Sequence, residues 1–282
     1  MASSAPRRSY LTLPGQRRLF WLEFGPADGR PLLALHGHLG EGAEFAPLAE
    51  ALDTKALSAE ALGADACSPQ GAWRLIAPDQ RGHGDSDRAD RYDRAGYVDD
   101  LLALIAHLGL NPAVALGHSL GAVNACHLAA QAPETVRALV NVDGPAQLPV
   151  VEPPPLAILR GLPYTAPTRE ELRAACGELA PLLEPGFRPA GEGWRLGCHP
   201  EDMIDSDRHV LGDHWDQWLG TTHPALLVHG LRSQVLPTAQ ARAMVERRAH
   251  TTLVTFDCDH WVHIRKPEEF ADAVRAFLAG TD

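Results

Sequence analysis

The pentapeptide Gly117-His118-Ser119-Leu120-Gly121 sets a hydroxyl between two glycines, after the apolar run PAVAL and before the helix-forming LGAVNACHLAAQA. A serine on a sharp strand-to-helix turn exposes its Oγ as a nucleophile, and the flanking glycines leave the turn unobstructed. Attack on a carbonyl then needs a base for the serine proton and donors for the oxyanion. The first donor expected is the Leu120 N–H, and the second is the N–H of His38 in HGHLG (36–40), on the loop after an early strand. The His38 ring itself can either face the pocket or stand aside. Two histidines in DCDHWVHI (257–264), His260 and His263, compete for the base, and His260, directly after the last apolar strand, is preferred.

The other aromatic and imidazole groups invite plainer readings. His36 and His83 sit in loop motifs and are expected to make structural hydrogen bonds, whereas His118 flanks the nucleophile and can line a pocket. Trp194, Trp215 and Trp218 can line an apolar pocket or simply pack. The chain has 14 histidines, but none falls into H-E-x-x-H or H-x-H-x-D-H spacing, so no metal is expected and the chemistry above calls for no cofactor.

These groups need a scaffold. Apolar runs at 17–25, 30–37, 73–79, 112–119, 136–144, 224–230 and 250–257 alternate with helical patterns at 44–52, 92–110, 120–132, 238–248 and 266–280. Strands alternating with helices predict an α/β fold, a mostly parallel sheet with helices on both faces. Gly109 is placed to end the 92–110 helix. Residues 53–72 read as a helix extension and an exposed loop without assigned function. The rhythm breaks at 145–222, which predicts a helical cap or lid (145–222) inserted into a core made of 1–144 and 223–282.

Composition limits the partners. A formal net charge of -11 over 282 residues argues against a nucleic-acid partner. No apolar stretch reaches membrane-spanning length, and no secretory signal follows the arginine pairs near the N-terminus. Five scattered cysteines without a CxxC pair suggest a reducing, cytoplasmic setting.

Taken in register, HGHLG, APDQRGHGDSD (77–87), GHSLG and DHWVHIRKPEEF (259–270) resemble the α/β-hydrolase superfamily along nearly the whole chain. That resemblance implies an eight-stranded, mostly parallel sheet with an inserted helical lid. It also exposes a departure. Members of the superfamily commonly carry an acid in the loop after the seventh strand, where this chain reads Leu231-Arg232-Ser233-Gln234. A branch of small bacterial acyl esterases and mitochondrial α/β-hydrolase-domain relatives instead places the acid after the sixth strand, with a serine in the later loop. NVDGP (141–145) is similar to that pattern, one residue shorter before its proline, and implies Asp143 as the acid. Asp205, Asp207, Asp213 and Asp216 are the alternatives, and Asp143 can also be read as a helix cap. A second departure is Asp259, where glycine commonly precedes the base histidine.

The resemblance implies a serine hydrolase of a small-molecule carboxylic ester or lactone, using Ser119, His260 and Asp143. A C–C bond hydrolase with the same triad, a cofactor-free perhydrolase and a non-catalytic receptor for a hydrophobic ligand are the competing readings.

Overall fold

A computed structural model describes residues 5–54 and 72–281 of the chain. Residues 55–71, most of the stretch expected to form a loop, lie outside the described residues. Eight strands form the central sheet: β1 (Arg7–Thr12), β2 (Arg18–Phe24), β3 (Arg30–Leu35), β4 (Trp73–Pro78), β5 (Ala113–His118), β6 (Val136–Val142), β7 (Ala225–Gly230) and β8 (Thr251–Phe256). Their order is β1-β2-β4-β3-β5-β6-β7-β8, with β1 antiparallel to β2, β2 antiparallel to β4 and the rest parallel. β5, carrying the GHSLG turn at its end, lies near the middle and is buried along its length. Strands covered on both faces need unbroken apolar runs, and VAL in β5 and ALLV in β7 supply them.

Helices α1 (Ala46–Thr54) and α10 (Pro267–Leu278) cover one face, with Phe45, Leu48, Phe270 and Val274 packed on Leu32, Leu116 and Val140. Helices α2 (Arg94–Leu108) and α3 (Leu120–Gln131) cover the other, where Leu101, Leu104 and Leu128 meet Leu33, Ala115 and Leu139. The Asp93 side chain caps α2 through the Gly96 N–H, and Gly109 closes it at φ 64°, as the glycine's position predicts. α8 (Thr238–Arg247) joins β7 to β8, and the short α9 (Val262–Arg265) precedes α10.

The excursion between β6 and β7 is more mixed than the helical segment expected from sequence. It holds α4 (Arg169–Cys176), α5 (Ala180–Leu183), α6 (Pro200–Val210) and α7 (Trp215–Leu219). It also holds a small antiparallel sheet of Thr165–Ala166, Gly193–Arg195 and Arg188–Ala190, and a two-residue pairing of Gln147–Leu148 with Gly212–Asp213. Strands of two or three residues carry too little periodicity to be read from sequence. Leu159, Leu172, Met203 and Ile204 from the excursion share a cluster with Tyr97, Leu120 and Val123, so the excursion sits directly on the start of α3. Ion pairs Arg88–Asp202 (2.6 Å) and Arg188–Asp85 (3.0 Å) tie the same segment to the loop after β4.

No helix among the described residues is long and apolar enough to cross a membrane. Cys126, Cys176, Cys198 and Cys258 are buried thiols.

Several buried histidines link folding to pH. Burial pushes His83 down to about 4, and burial with the neighbouring His214 ring does the same to His127. A folded-state value below the ordinary ~6.5 means the unfolded chain takes up the proton first, so stability is complete above that value and is lost as pH falls towards 4. Asp79, raised to about 6 by burial, has the opposite slope between its ordinary value and 6, offsetting part of the loss. Thermal unfolding is therefore expected at lower temperature at pH 4.5 than at pH 7, with a smaller drop in His127→Gln. An equal drop in both proteins would disprove the assignment to His127.

Candidate active site

Ser119 joins β5 to α3 at φ 52°, ψ -116°, a region non-glycine residues rarely occupy and which costs ~1–3 kcal/mol. The turn survives because its neighbours have no side chains. A Cβ on Gly117 would lie 2.2 Å from the Gly121 carbonyl oxygen, and one on Gly121 would lie 2.1 Å from that of Leu35. Ser119 is partly exposed, while Gly117, His118 and Leu120 around it are buried.

Asp143 ends the strand beside β5. Its backbone also takes a positive φ, 53°, in a turn clamped by Asn141, whose Oδ1 accepts from Gly144 N (2.8 Å) and whose Nδ2 donates to Gly144 O (3.0 Å). The Asp143 N–H reaches across to Val228 O on β7 (2.8 Å). This turn directs a fully buried carboxylate towards the end of β7 and the segment after β8. Oδ2 accepts from His260 Nδ1 (2.7 Å) and from the Ser233 hydroxyl (2.5 Å). Oδ1 accepts from His229 Nδ1 (2.9 Å) and from Gly230 N (3.0 Å). Burial alone would raise the carboxyl's pKa, but hydrogen bonds from His229, His260 and Ser233 outweigh it and leave the group below its ordinary value. Asp143 is therefore held as the carboxylate.

Because a carboxylate only accepts, His260 carries its proton on Nδ1 and leaves Nε2 as the basic nitrogen. The His260 carbonyl accepts from His118 Nε2 (3.1 Å), and the two rings lie 4.6 Å apart, so the residue before the nucleophile packs on the candidate base. Among the described residues no hydrogen bond joins Ser119 Oγ to His260. Asp259, the departure from glycine noted above, avoids a positive φ; its carboxylate accepts from Trp261 N (3.2 Å) and pairs with Arg265 (3.0 Å) to start α9.

The HGHLG loop is held from two sides. His36 Nδ1 donates to Gly37 O (2.7 Å) and its Nε2 accepts from Gln80 N (2.9 Å), which fixes its tautomer and joins the loop to the turn after β4. Gln80 Oε1 accepts from Asn124 on α3 (2.7 Å), and Asn124 Oδ1 accepts from the buried Arg94 (2.6 Å). The His38 ring is tied to α6. Its Nε2 meets Ser206 Oγ on α6 (2.9 Å), a hydroxyl shared with Tyr97 (2.9 Å). Gly37 abuts the nucleophile, for a Cβ there would lie 3.2 Å from Ser119 Cβ. Gly37, the residue before His38, and Leu120, the residue after the serine, thus both adjoin Ser119.

Beside this loop opens a cavity of about 560 Å³, walled by Leu39, Pro181, Leu182, Pro185, Trp261 and Ile264, with Glu41, Glu44 and Arg265 as charged members. It touches the site at His38 and at Trp261, whose ring meets the His260 ring at 5.4 Å.

Of the residues expected to bind substrate, His118 is at the site, but its ring is engaged with His260 and packs on His263. Trp215 and Trp218 are not brought there. Trp218 is 1% exposed, donates from Nε1 to Met244 O (2.9 Å) and belongs to the main core. Trp215 packs against the same core under the Arg247 guanidinium, 3.8 Å from its ring. Both belong to α7, whose apolar face was free to turn either way in the sequence. Trp194 stacks near Arg169 within the excursion. Of the alternative acids, Asp207 accepts from Leu156 N and Asp213 from Trp215 N, while Asp205 pairs with His209. His263 faces Glu44 (3.4 Å) instead of Asp143. Glu44, His118 and His263 offer ligand atoms within 4.8 Å of one another, a cluster that the sequence patterns did not reveal. Tetrahedral zinc ligands at ~2.1 Å from the ion stand about 3.4 Å apart, so this set would have to draw together to share one.

Comparison with known proteins identifies the family. A family profile described as the alpha/beta hydrolase fold matches residues 30–180, and the chain belongs to that family. A 2-(acetamidomethylene)succinate hydrolase from Mesorhizobium japonicum is 28% identical over 89% of this chain and 88% of its own. The sn-1-specific diacylglycerol lipase ABHD11 of Mus musculus is 27% identical over 90% of this chain and 83% of its own. The crystal structure of an E-2-(acetamidomethylene)succinate hydrolase superposes with a TM-score of 0.77 at 26% identity, covering 98% of this chain and all of the other (100%).

The contact between His38 and α6 yields a test. Ser206→Ala removes the hydroxyl that holds the His38 ring, and a loosened donor loop is expected to lower kcat by roughly 3–10-fold on an ester substrate. Steady-state kinetics with unchanged kcat would show that the loop is held without Ser206.

Proposed function

We propose that the protein is a serine hydrolase of uncharged carboxylic esters or lactones, acting through an acyl-enzyme. The reading is carried by one observation, the buried carboxylate of Asp143 bonded to His260 Nδ1 beside the Ser119 turn. His260 Nε2 takes the Ser119 proton as Oγ attacks the carbonyl carbon, and the N–H groups of His38 and Leu120 hold the resulting oxyanion. Asp143 fixes the tautomer and stabilises the imidazolium. The proton passes from Nε2 to the leaving alkoxide as the C–O bond breaks. Water then gives a proton to the same nitrogen as it attacks the acyl carbon, and that proton passes to Ser119 Oγ as the acyl C–Oγ bond breaks and the acid leaves.

The cavity beside the site supports an apolar substrate arm. Its one cation, Arg265, is paired with Asp259, and Glu41 is paired with Arg188, so its described walls offer no unpaired positive charge for a second carboxylate. In this respect the chain differs in emphasis from a relative named for a substituted succinate, whose substrate carries two carboxylates. Leu39, Leu182, Trp261 and Ile264 favour an alkyl or aromatic group through burial of apolar area.

p-Nitrophenyl esters from acetate to decanoate test the reaction. Wild type is expected to cleave them, Ser119→Ala to lose turnover, and Asp143→Asn to lose roughly 10³–10⁴-fold in kcat. Asp143→Asn at wild-type rate would remove Asp143 from the mechanism, and a wild type inert on every ester would favour the C–C hydrolase or receptor alternatives.

Leu182→Lys tests the cavity separately. With one wall made cationic, kcat/KM on the octanoate ester is expected to fall about tenfold, while the acetate ester, too short to reach the wall, changes less than twofold. Equal losses on both esters would place the substrate elsewhere.

A further inference from the structure

His229 stands out among the buried groups that the mechanism above leaves unused. It lies one residue before the end of β7, is 1% exposed, and has both ring nitrogens engaged. Nδ1 meets Asp143 Oδ1 at 2.9 Å and Nε2 meets the Thr238 hydroxyl at 3.0 Å, at the start of α8. The opposite carboxylate oxygen serves His260. Asp143 is thus held between two imidazoles, one on each oxygen.

The arrangement follows from where the acid sits. Asp143 comes from β6 and must reach past the end of β7 to meet a histidine that follows β8. A carboxylate on such a path can rotate about its Cβ–Cγ bond unless the second oxygen is also held. The Gly230 N–H (3.0 Å) and the His229 ring grip that second oxygen from β7, the strand Asp143 crosses.

We propose that His229 is a positioning residue for the triad: its Nδ1–H, oriented by the Thr238 hydroxyl, locks the Asp143 carboxylate in plane with His260 and draws off part of its charge. This rests on the serine-hydrolase reading above. Nδ1 carries the proton because Asp143 only accepts, and Nε2 then accepts from Thr238 Oγ1. No proton is transferred along this chain during turnover. Its effects are geometric and electrostatic: a carboxylate sharing its charge among four donors attracts the His260 imidazolium less strongly than a bare one.

The two effects make different predictions from ordinary packing. In His229→Leu the carboxylate loses one donor and one restraint, so kcat is expected to fall about 30–100-fold with KM within twofold. The acid limb of the kcat/KM profile should move up by roughly half a pH unit, since less of the Asp143 charge is drawn away from His260. A purely structural role predicts the reverse sign, because a loosened His260–Asp143 contact would let the limb fall. His229→Asn sets an amide N–H near the place of Nδ1 and should recover most of the lost rate with the wild-type limb. The other groups facing His260, namely His118 with His263 and Glu44 behind it and Asp259 with Arg265 beside it, are the same in every variant.

A limb that stays put or moves down in His229→Leu, or an asparagine variant no better than the leucine variant, would overturn the proposal. If His229→Leu does not fold, Thr238→Val removes only the hydroxyl that sets the ring, with a roughly 3–10-fold loss in kcat expected; a wild-type rate there would also overturn it. The rate at which a fluorophosphonate labels Ser119, measured against pH in the same variants, reads the triad without any ester. A protein inert on esters but labelled faster in wild type than in His229→Leu refutes the ester reading while leaving His229 in place. Equal labelling at all pH values refutes His229.

Discussion

The structure around the site depends on keeping one charge in a place with no solvent. Asp143 is fully buried, and four donors from three segments converge on its two oxygens: His260, Ser233, His229 and Gly230. Removing a carboxylate from water is costly, and the cost is offset only when its hydrogen-bonding capacity is filled. Each donor therefore constrains the segment that bears it. The turn after β6, the end of β7, the Ser233 loop and the segment after β8 are all held by this group. Asp143's positive φ is tolerated because Asn141 closes the turn and the Asp143 N–H is bonded to β7.

The second constraint lies across Ser119. The HGHLG loop has little regular structure, yet the proposed mechanism needs it to place one main-chain donor, the His38 N–H, with precision. Its rigidity is borrowed from elements far away in sequence: Gln80 after β4, Asn124 in α3, Arg94 and Tyr97 in α2 and Ser206 in α6. Burial lowers Arg94 to about 10 and holds His36, His38 and His118 well below the usual histidine range. The loop is thus held by uncharged rings, with the Arg94 guanidinium, still a cation at neutral pH, as the charged group in its support. Through Ser206, the excursion after β6 becomes part of the loop's support as well as a cover for the start of α3.

How much of this was legible depended on range. β2 to β8, α2 with its Gly109 cap and the GHSLG turn were readable because local periodicity and glycine placement encode them. β1 was missed: RRSYLT is an edge strand with no fully buried position, its inward side carries Ser9 and Leu11 and its exposed side Tyr10, so its apolar alternation is faint. The short strands after β6 were missed for want of length. Trp215 and Trp218 were readable as apolar, but their side of α7 was not, and they face the core away from Ser119. Asn141 and His229 left no signal, since an Asn two residues from an Asp and a His before a strand-end Gly are ordinary neighbours until the sheet aligns them.

The sequence by itself determined the alternation of strands and helices, the strained serine turn, the nearby donor loop and the lack of an acid after β7. Each is a local property, set by residue type and spacing over a dozen positions or fewer. Only the tertiary structure decided which carboxylate meets His260, which way the His38 ring turns and what lies beneath Asp143. Those are contacts between residues 86 to 168 positions apart, and no local pattern specifies them. The Asp143 contacts exist because the sheet order sets β6 beside β7 and β7 beside β8, bringing three strand ends to one edge where a single carboxylate can serve them all; the His38 contact exists because α6 packs over the loop after β3.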